Sequence, residues 1–497
     1  MYINNKILVG KNDKKEVYLL PSMANRHGLI TGASGTGKTI TLKVLAESFS
    51  DAGVPVFFSD VKGDLAGCCQ VGEDSESVNK RVESLGLNEF EYKSYPTVFW
   101  DIYGQYGHPI RTKISMVGPS ILSMMLGLSE AQEGVLDIVF KIAEDENLDL
   151  VDLKDLKSVL QYVGDNRKDY ITKYGNITTQ SVGVIQRSLL ALENQGADKF
   201  FGEPALDIKD FIRTTNDSKG MINSLHAVEL FRNPDLYASF MLWLLTELFN
   251  SMPEVGDLDK PKIVFFFDEA HLLFDNMPLY RLKQITQVVK LIRSRGIGLY
   301  FVSQKPTDIP DEIIGQLGNR VQHNLRAYTP AEQKIVKTAA DAFRENKEFN
   351  TYDAILTLGT GEALVSFQNE KGEPEIVEKV KVLPPQSKMG TIDDITRNKV
   401  INNSSLSGKY DEVIESESAH EIVTKKMQEK QTLEEEAKRQ KEEEKKLKQE
   451  EKEKRQKERE RKNNPAYKLG KKAVNKTTDK ILNRIINSVI KSLSGKK

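Results

Sequence analysis

Gly32-Ala33-Ser34-Gly35-Thr36-Gly37-Lys38-Thr39 matches the pattern G-x-x-x-x-G-K-[ST] at every position. Leu29-Ile30-Thr31 reads as the strand that leads in, and Ile40 to Ser48 as the helix that leads out. Strand, glycine-rich loop and helix are the context this pattern needs. Glycines let the backbone reach positive φ and wrap an anion closely. The loop N–H groups and the helix N-terminus then face the anion, where the helix dipole favours negative charge. Residues 32–39 are therefore the nucleotide-binding set. Lys38 is expected at the β- and γ-phosphates, and the Thr39 hydroxyl on Mg²⁺. The stretch implies a nucleoside triphosphatase.

The chain has 497 residues, enough for two to four domains. Charged residues make up 29%, yet the formal net charge is −1, so overall charge gives no support for nucleic-acid binding. Cys68 and Cys69 are adjacent and suit no ordinary structural disulfide, which favours a reducing compartment. The opening Met1-Tyr2-Ile3-Asn4-Asn5-Lys6 lacks the layout of a signal peptide. The most apolar runs, Phe240 to Phe249 and Ile263 to Phe267, fall short of the ~20 residues that span a bilayer. A cytoplasmic protein is the expectation.

Outward from the loop, Lys6 to Gly10, Glu16 to Leu20 and Val54 to Asp60 read as strands, completing the first part of a nucleotide-binding core over 1–70. Residues 71–220 read as a mainly helical insertion, with helical periodicity at Ala131–Ala143, Leu153–Tyr162 and Val182–Leu192. The core resumes over 221–385, with strands at Met221–His226, Lys262–Asp268 and Ile297–Gln304 and a helix at Asp235–Asn250. Leu279, Leu282, Ile285, Val288, Val289 and Ile292 mark one face of another helix, and Thr329-Pro330 opens one more. Alternating strands and helices predict an α/β fold, a RecA-like core on a doubly wound parallel sheet. Residues 386–419 read as a polar linker.

Residues 420–462 are almost wholly Glu, Lys, Arg and Gln, with favourable i, i+4 pairs such as Glu434/Lys438, Glu442/Lys446 and Glu453/Lys457. Each pair adds about 0.2–0.5 kcal/mol to an isolated helix. Apolar seam positions of a coiled coil are nearly absent, so a single extended helix is expected. Asn463-Asn464-Pro465 ends it. Residues 464–497 then read as a basic amphipathic helix, with Leu482, Ile485, Ile486, Val489, Ile490 and Leu493 on one face. Eight lysines and one arginine stand against one aspartate there. The pattern suits an anionic membrane surface, nucleic acid or a protein partner, and equally a helix docked on its own core.

Asp268-Glu269 closes the apolar strand Ile263-Val264-Phe265-Phe266-Phe267. At the carboxyl end of a strand beside the phosphate loop, Asp268 is expected to hold Mg²⁺ through water and Glu269 to activate the attacking water. Asp268-Glu269-Ala270-His271 also spells the DEAH box of superfamily 2 helicases. Neither a Ser-Ala-Thr motif after it nor a Q-x-x-G-R-x-G-R segment is present, and one nucleotide core is visible rather than two in tandem. Gln304 ends the next strand, where an amide can sense the γ-phosphate and the lytic water. Arg293 and Arg295 are candidates for an arginine acting in trans on a neighbour's γ-phosphate, with Arg320 and Arg326 as competitors. Asp60, Lys62 and Asp64 come after the second strand on the same edge, where a nucleotide or Mg²⁺ contact is open, as is simple helix capping by Asp64. No [NT]-K-x-D motif is present, which favours ATP over GTP. A Leu-Ser-Gly-Gly-Gln signature is absent as well, which argues against an ABC ATPase.

Together these residues resemble the HerA/FtsK superfamily of RecA-like ring-forming ATPases. The resemblance rests on Asn25-Arg26-His27-Gly28 before the loop, Asp60 to Leu65, Asp268 to His271, Arg293 to Gly298 and Ser303 to Pro306. Leu126 to Gly134, Phe201 to Leu206 and Leu358 to Leu364 are similar to a bacterial HerA-like, YjgR-like branch. The resemblance spans about residues 1–385. It implies Mg²⁺-dependent ATP hydrolysis at subunit interfaces of a hexamer whose pore takes double-stranded DNA. HerA proper carries a β-barrel before its motor. With the loop starting at residue 32 no barrel is expected here, so a nuclease partner docked through one is not implied. The charged tail lies outside the motor pattern.

Overall fold

The computed structural model describes residues 1–275 and 277–493. One sheet of thirteen strands organises it: β1 (Tyr2–Ile3), β2 (Lys6–Lys11), β3 (Glu16–Leu19), β4 (Gly28–Thr31), β5 (Val56–Asp60), β6 (Thr97–Asp101), β7 (His108–Pro109), β8 (Ile222–His226), β9 (Ile263–Phe267), β10 (Ile297–Ser303), β11 (Asn319–Gln322), β12 (Glu362–Ser366) and β13 (Glu378–Val382). Their spatial order is β1-β2-β13-β12-β11-β4-β10-β9-β5-β8-β6-β7, with β3 on β2. From β11 to β7 every neighbouring pair is parallel. Beyond β11 the sheet turns antiparallel through β12, β13 and the N-terminal strands. The RecA-like core is therefore a mixed sheet, mostly parallel, with an antiparallel extension.

The parallel block is apolar because helices cover both faces. Every residue of β9 and β10 is buried. On one face the helix α1 (Lys38–Asp51) inserts Phe49 between Phe266 of β9 and Tyr300 of β10, at 6.4 and 6.0 Å between ring centroids. Burying one such ring contributes roughly 2–3 kcal/mol. Gly28 of β4 sits under the Tyr300 ring, and a Cβ there would lie 2.3 Å from it, so this position admits no side chain.

After α2 (Glu76–Leu85) the chain adds β6 and β7 to the main sheet before it enters the helices α3 (Ile114–Met125), α4 (Glu130–Asp145), α5 (Leu153–Asp165), α6 (Arg167–Tyr174) and α7 (Thr179–Asn194). The segment 71–220 is thus not helical throughout. Its first part supplies edge strands, because Thr97 to Asp101 is a short run buried on both sides. Next come α8 (Pro234–Ser251), α9 (Leu279–Ile292), α10 (Asp311–Ile314), α11 (Pro330–Asp341), α12 (Thr351–Thr357) and α13 (Asp394–Asn402).

The stretch read as a polar linker is packed instead. Compact unit 1 runs from Met1 to Ile422. Gln386 and Ser387 are buried, and their N–H groups donate to the buried Glu47 carboxylate of α1 at 2.8 and 3.1 Å. Lys43 of α1 donates to the Lys388 carbonyl. Tyr410 is fully buried, edge-on to Trp100 of β6. Residues 386–410 form a strap in which Gln386, Ser387 and Arg397 are buried, a use of polar residues that composition cannot distinguish from solvation.

The helix α14 (Ala419–Asn463) runs unbroken through the charged segment, and α15 (Pro465–Leu493) begins after the Asn464 break. Unit 2 spans Val423–Lys497. Leu482, Ile485, Ile486, Val489 and Ile490 of α15 are all exposed. Residues 494–497 and the side chain of Leu493 lie outside the described set. No helix among the described residues is long and apolar enough to cross a membrane.

Candidate active site

Strand register brings the site together. Thr31, at the end of β4, is level with Ser303 of β10 on one side and Gln322 of β11 on the other. Phe58 of β5 pairs with Phe266 of β9, so Asp60 and Asp268, each two residues further on, share one level. The phosphate loop, Gln304, the Asp268-Glu269 pair and Asp60 therefore form one row at the carboxyl edge, where ligands bind in such sheets.

The loop has the shape of an anion cradle. Gly32, Gly35 and Gly37 have φ of 155°, 77° and 119°. Gly32 is hemmed in: a Cβ there would lie 2.5 Å from that of His323. Around Gly35 there is open space. Lys38 folds back so that its ammonium donates to the Gly32 and Ala33 carbonyls at 2.7 and 3.2 Å. Burial holds its pKa below the ordinary lysine range, opposed by Glu269 and Asp268. A cation tethered over an open cradle is matched to a polyphosphate. Thr39 stands in the first turn of α1. A cleft of about 150 Å³ lies over the loop, walled by Ala33, Ser34, Gln304, Arg326 and Val336.

Asp268 is 8% exposed and accepts the Glu269 N–H at 2.9 Å. Burial pushes its carboxyl up to about 7, and the neighbouring Glu269 adds to the shift. Asp60 is pushed up to about 6, first by burial and then by Asp64, and its Oδ1 is buried without a hydrogen-bond partner. Two buried carboxyl groups with raised pKa values, next to a cradle for phosphate, fit a divalent cation. Thr39 and Asp268 are oxygen donors of the kind Mg²⁺ prefers. A bound Mg²⁺ would neutralise charge on the β- and γ-phosphate oxygens.

Glu269 adopts a left-handed backbone, φ 47°, ψ 45°. This costs roughly 1–2 kcal/mol for a residue with a Cβ. Lys62 Nζ at 3.4 Å and Gln304 Nε2 at 3.5 Å hold the carboxylate, and His271 Nδ1, which makes no hydrogen bond, stands 3.5 Å from it. Tyr237 of α8 donates to the Asp268 carbonyl at 2.8 Å and so fixes the strand end. Gln304 thus stands where its strand-end position in the sequence places it. For Lys62 the sequence leaves a nucleotide contact open, and the structure puts it 3.4 Å from Glu269.

Arg293 and Arg295 do not join this group. They precede β10, whose seven residues span about 20 Å to Ser303. Arg295 donates to the Met252 carbonyl, and its guanidinium sits 4.3 Å from the centre of the Phe249 ring. Arg320 is held by the Leu317 and Ala342 carbonyls at 3.4 and 3.3 Å. Arg326, in sequence terms only a competitor, is the one of the four that lines the cleft over the loop.

Two further residues act on the loop. His323, just past β11, donates from Nδ1 to the Glu362 carbonyl at 2.9 Å and accepts the Thr41 hydroxyl at Nε2 at 2.8 Å. Burial lowers its pKa to about 4, so the ring is neutral. The Asn324 carbonyl accepts the Ala33 N–H at 2.8 Å. Gly361, from the Leu358–Leu364 string, donates its N–H to the Thr36 carbonyl at 3.0 Å. No local pattern marks these braces; only the glycine-rich string hints at one of them.

A phosphate loop, a strand-end Asp-Glu pair and a Gln on the adjacent strand define a nucleotide-hydrolysing core, and likeness to known proteins agrees. The chain belongs to the helicase HerA-like C-terminal family, matched over residues 5–497. It is a phosphate-loop ATP hydrolase. The DNA double-strand break repair helicase HerA of Sulfolobus acidocaldarius is 21% identical over 365 residues, 72% of this chain and 65% of that protein. The chain thus spans just under two thirds of that relative. The protein of the same name from Saccharolobus solfataricus is 21% identical over 416 residues, 82% of this chain and 72% of its own. Among solved structures, the plasmid coupling protein TrwB, in complex with the non-hydrolysable GTP analogue GDPNP, superposes with a TM-score of 0.51 at 13% identity. That match covers 79% of this chain and 91% of TrwB. This last likeness shows the fold.

Proposed function

We propose that this protein is a Mg²⁺-dependent, ATP-driven motor that assembles as a hexameric ring and translocates double-stranded DNA. One observation carries the hydrolytic part of the reading: the row of Lys38, Asp268, Glu269 and Gln304 on one sheet edge. In this reading Lys38 leaves its two loop carbonyls for the β- and γ-phosphates. Asp268 and Thr39 hold Mg²⁺. Glu269 takes the proton of the attacking water, and Gln304, in contact with Glu269, reports the change to β10. Arg293 or Arg295 acts from a neighbouring subunit, consistent with their distance from the site of their own chain. The DNA part is supported by the family and by the HerA relatives, whose names assign them to DNA repair.

Phosphate release from purified protein, measured with ATP or GTP and with or without a linear duplex, tests this. The expected result is hydrolysis that prefers ATP, needs Mg²⁺ and rises with duplex. A rate indifferent to duplex removes the DNA substrate. Particle images with ATP that show no ring remove the hexamer.

A second reading is an ATPase that moves protein or works at an anionic membrane surface through its tail. The exposed apolar face of α15, among eight lysines and one arginine in residues 464–497, favours it. Binding to vesicles with 30% anionic lipid, lost when 464–497 is deleted, would support this reading.

A further inference from the structure

A cleft of about 770 Å³ in unit 1 has none of the phosphate-loop residues in its wall. It lies where β6 and β8 begin, beside Pro96, Thr97 and Met221, and is roofed by α13 and Ser405 of the strap. Volumes of roughly 300–1,000 Å³ are those of small-molecule sites. Its wall carries two cations, Arg213 and Lys399, and no carboxylate. The rest is hydroxyl, amide and thiol with a few apolar groups. In a chain with nearly equal numbers of acidic and basic residues, a cleft walled by cations alone is selective for anions.

Arg213 is built into the wall. Its carbonyl accepts the Met221 N–H at 2.9 Å, which fixes the backbone to β8. Its Nε donates to the Asp210 carbonyl at 3.0 Å, and Nη1 to Ser405 Oγ at 2.6 Å. Nη2 is buried and has no hydrogen-bond partner. No carboxylate lies within ion-pair distance of this guanidinium among the described residues. Gln70, also in the wall, donates from Nε2 to Thr396 Oγ1 at 3.4 Å, and its Oε1 is a buried acceptor without a partner. An unmet donor on a fixed cation and an unmet acceptor in the same lining describe a ligand with an anionic end and a hydroxyl.

We propose that this cleft binds a small phosphate ester, its phosphate on Arg213 and Lys399 and its hydroxyl-bearing part toward Gln70. The site is separate from the phosphate loop. Because α13 and Ser405 belong to the strap that also holds Lys43 and Glu47 of α1, occupancy ties the strap down.

The test uses the full chain carrying Lys38→Ala, which disables the phosphate loop as a phosphate site. Ribose 5-phosphate is titrated by calorimetry, with inorganic phosphate and ribose as separate arms. Alkylation of Cys69 is followed in parallel: Cys69 lines the cleft and is half-buried, whereas Cys68 is fully buried. We expect saturable binding of the ester, weaker binding of inorganic phosphate, none of ribose, and slower alkylation of Cys69 when the ester is bound. Arg213→Gln should weaken binding about tenfold or more, the loss of one charge-assisted hydrogen bond. Lys399 is exposed, so Lys399→Ala leaves folding intact and should weaken binding about threefold by lost charge. No saturation by 10 mM ester, equal affinity in both variants and the parent, or unchanged Cys69 alkylation would each overturn the proposal.

Discussion

The two ends of β10 are built on opposite terms. At its start everything is closed. Arg295 is clamped on Phe249 and Met252, and a Cβ on Gly296 would lie 3.0–3.2 Å from Leu258, Lys262 and Val255. At its finish the contacts are long. Glu269 meets Lys62, His271 and Gln304 at 3.4–3.5 Å, on a strained backbone. One end is a fixed seat and the other a group of side chains with room to rearrange. A strand of this kind can carry a change at the nucleotide to a face that does not itself deform.

The largest effect should come from the loose end. Glu269→Gln removes the proposed base while keeping shape. We expect kcat to fall about 10²–10⁴-fold with nucleotide binding retained, read by phosphate release and by equilibrium binding of a labelled nucleotide. A variant with near-normal kcat would move the base elsewhere.

The next concerns His27, which ties the closed side to the sheet. Its Nε2–H donates to the Val289 carbonyl at 2.8 Å, and Nδ1 accepts the Leu299 N–H at 3.0 Å. Burial lowers its pKa to about 4. An unfolded histidine titrates near 6.5 and so binds a proton in a range where the folded one does not. Stability is therefore full above about pH 6.5 and falls as pH drops toward 4, by about 3 kcal/mol over the whole window. Asp268 and Asp60, with raised pKa values, act in the opposite sense, so the contrast with His27→Gln isolates the ring. Going from pH 7.5 to pH 5, the urea midpoint of the parent should shift downward relative to that of the variant.

Smaller again is Arg295→Ala, expected to cost about 2 kcal/mol through the lost charged hydrogen bond and ring contact. Arg293→Ala, with no such anchor among the described residues, should stay within about 0.5 kcal/mol. Thermal unfolding of the pair distinguishes them. If Arg293→Ala also lowers kcat, Arg293 has a role beyond packing. The smallest is Gln304→Ala, expected to lower kcat about tenfold without changing the midpoint of unfolding. A stability loss larger than the rate loss would make Gln304 a structural amide.

The legible parts of the sequence are the contiguous ones. The loop at 32–39 and the apolar run closed by Asp268-Glu269 each carry strand, turn and charge within a dozen residues. Their alternation with helices gives the α/β class. The illegible parts depend on distance along the chain. His323 and Asn324 brace the loop from nearly three hundred residues away. β6 reads as part of a helical insertion because five residues cannot declare which sheet they join. The strap misleads for another reason: Gln386, Ser387 and Arg397 are polar because their partners Glu47, Asp60 and the Phe99 ring are buried, and composition sees only polarity.

That strap has a consequence for modularity. The last recognisable motor motif ends before Pro385, an inviting place to cut or fuse the gene. A break there would leave Glu47 and Lys43 of α1 buried without their hydrogen-bond partners, inside the helix that presents the phosphate loop. Recombination can exchange the chain beyond residue 422, but not the segment between 385 and 410, without unseating the motor.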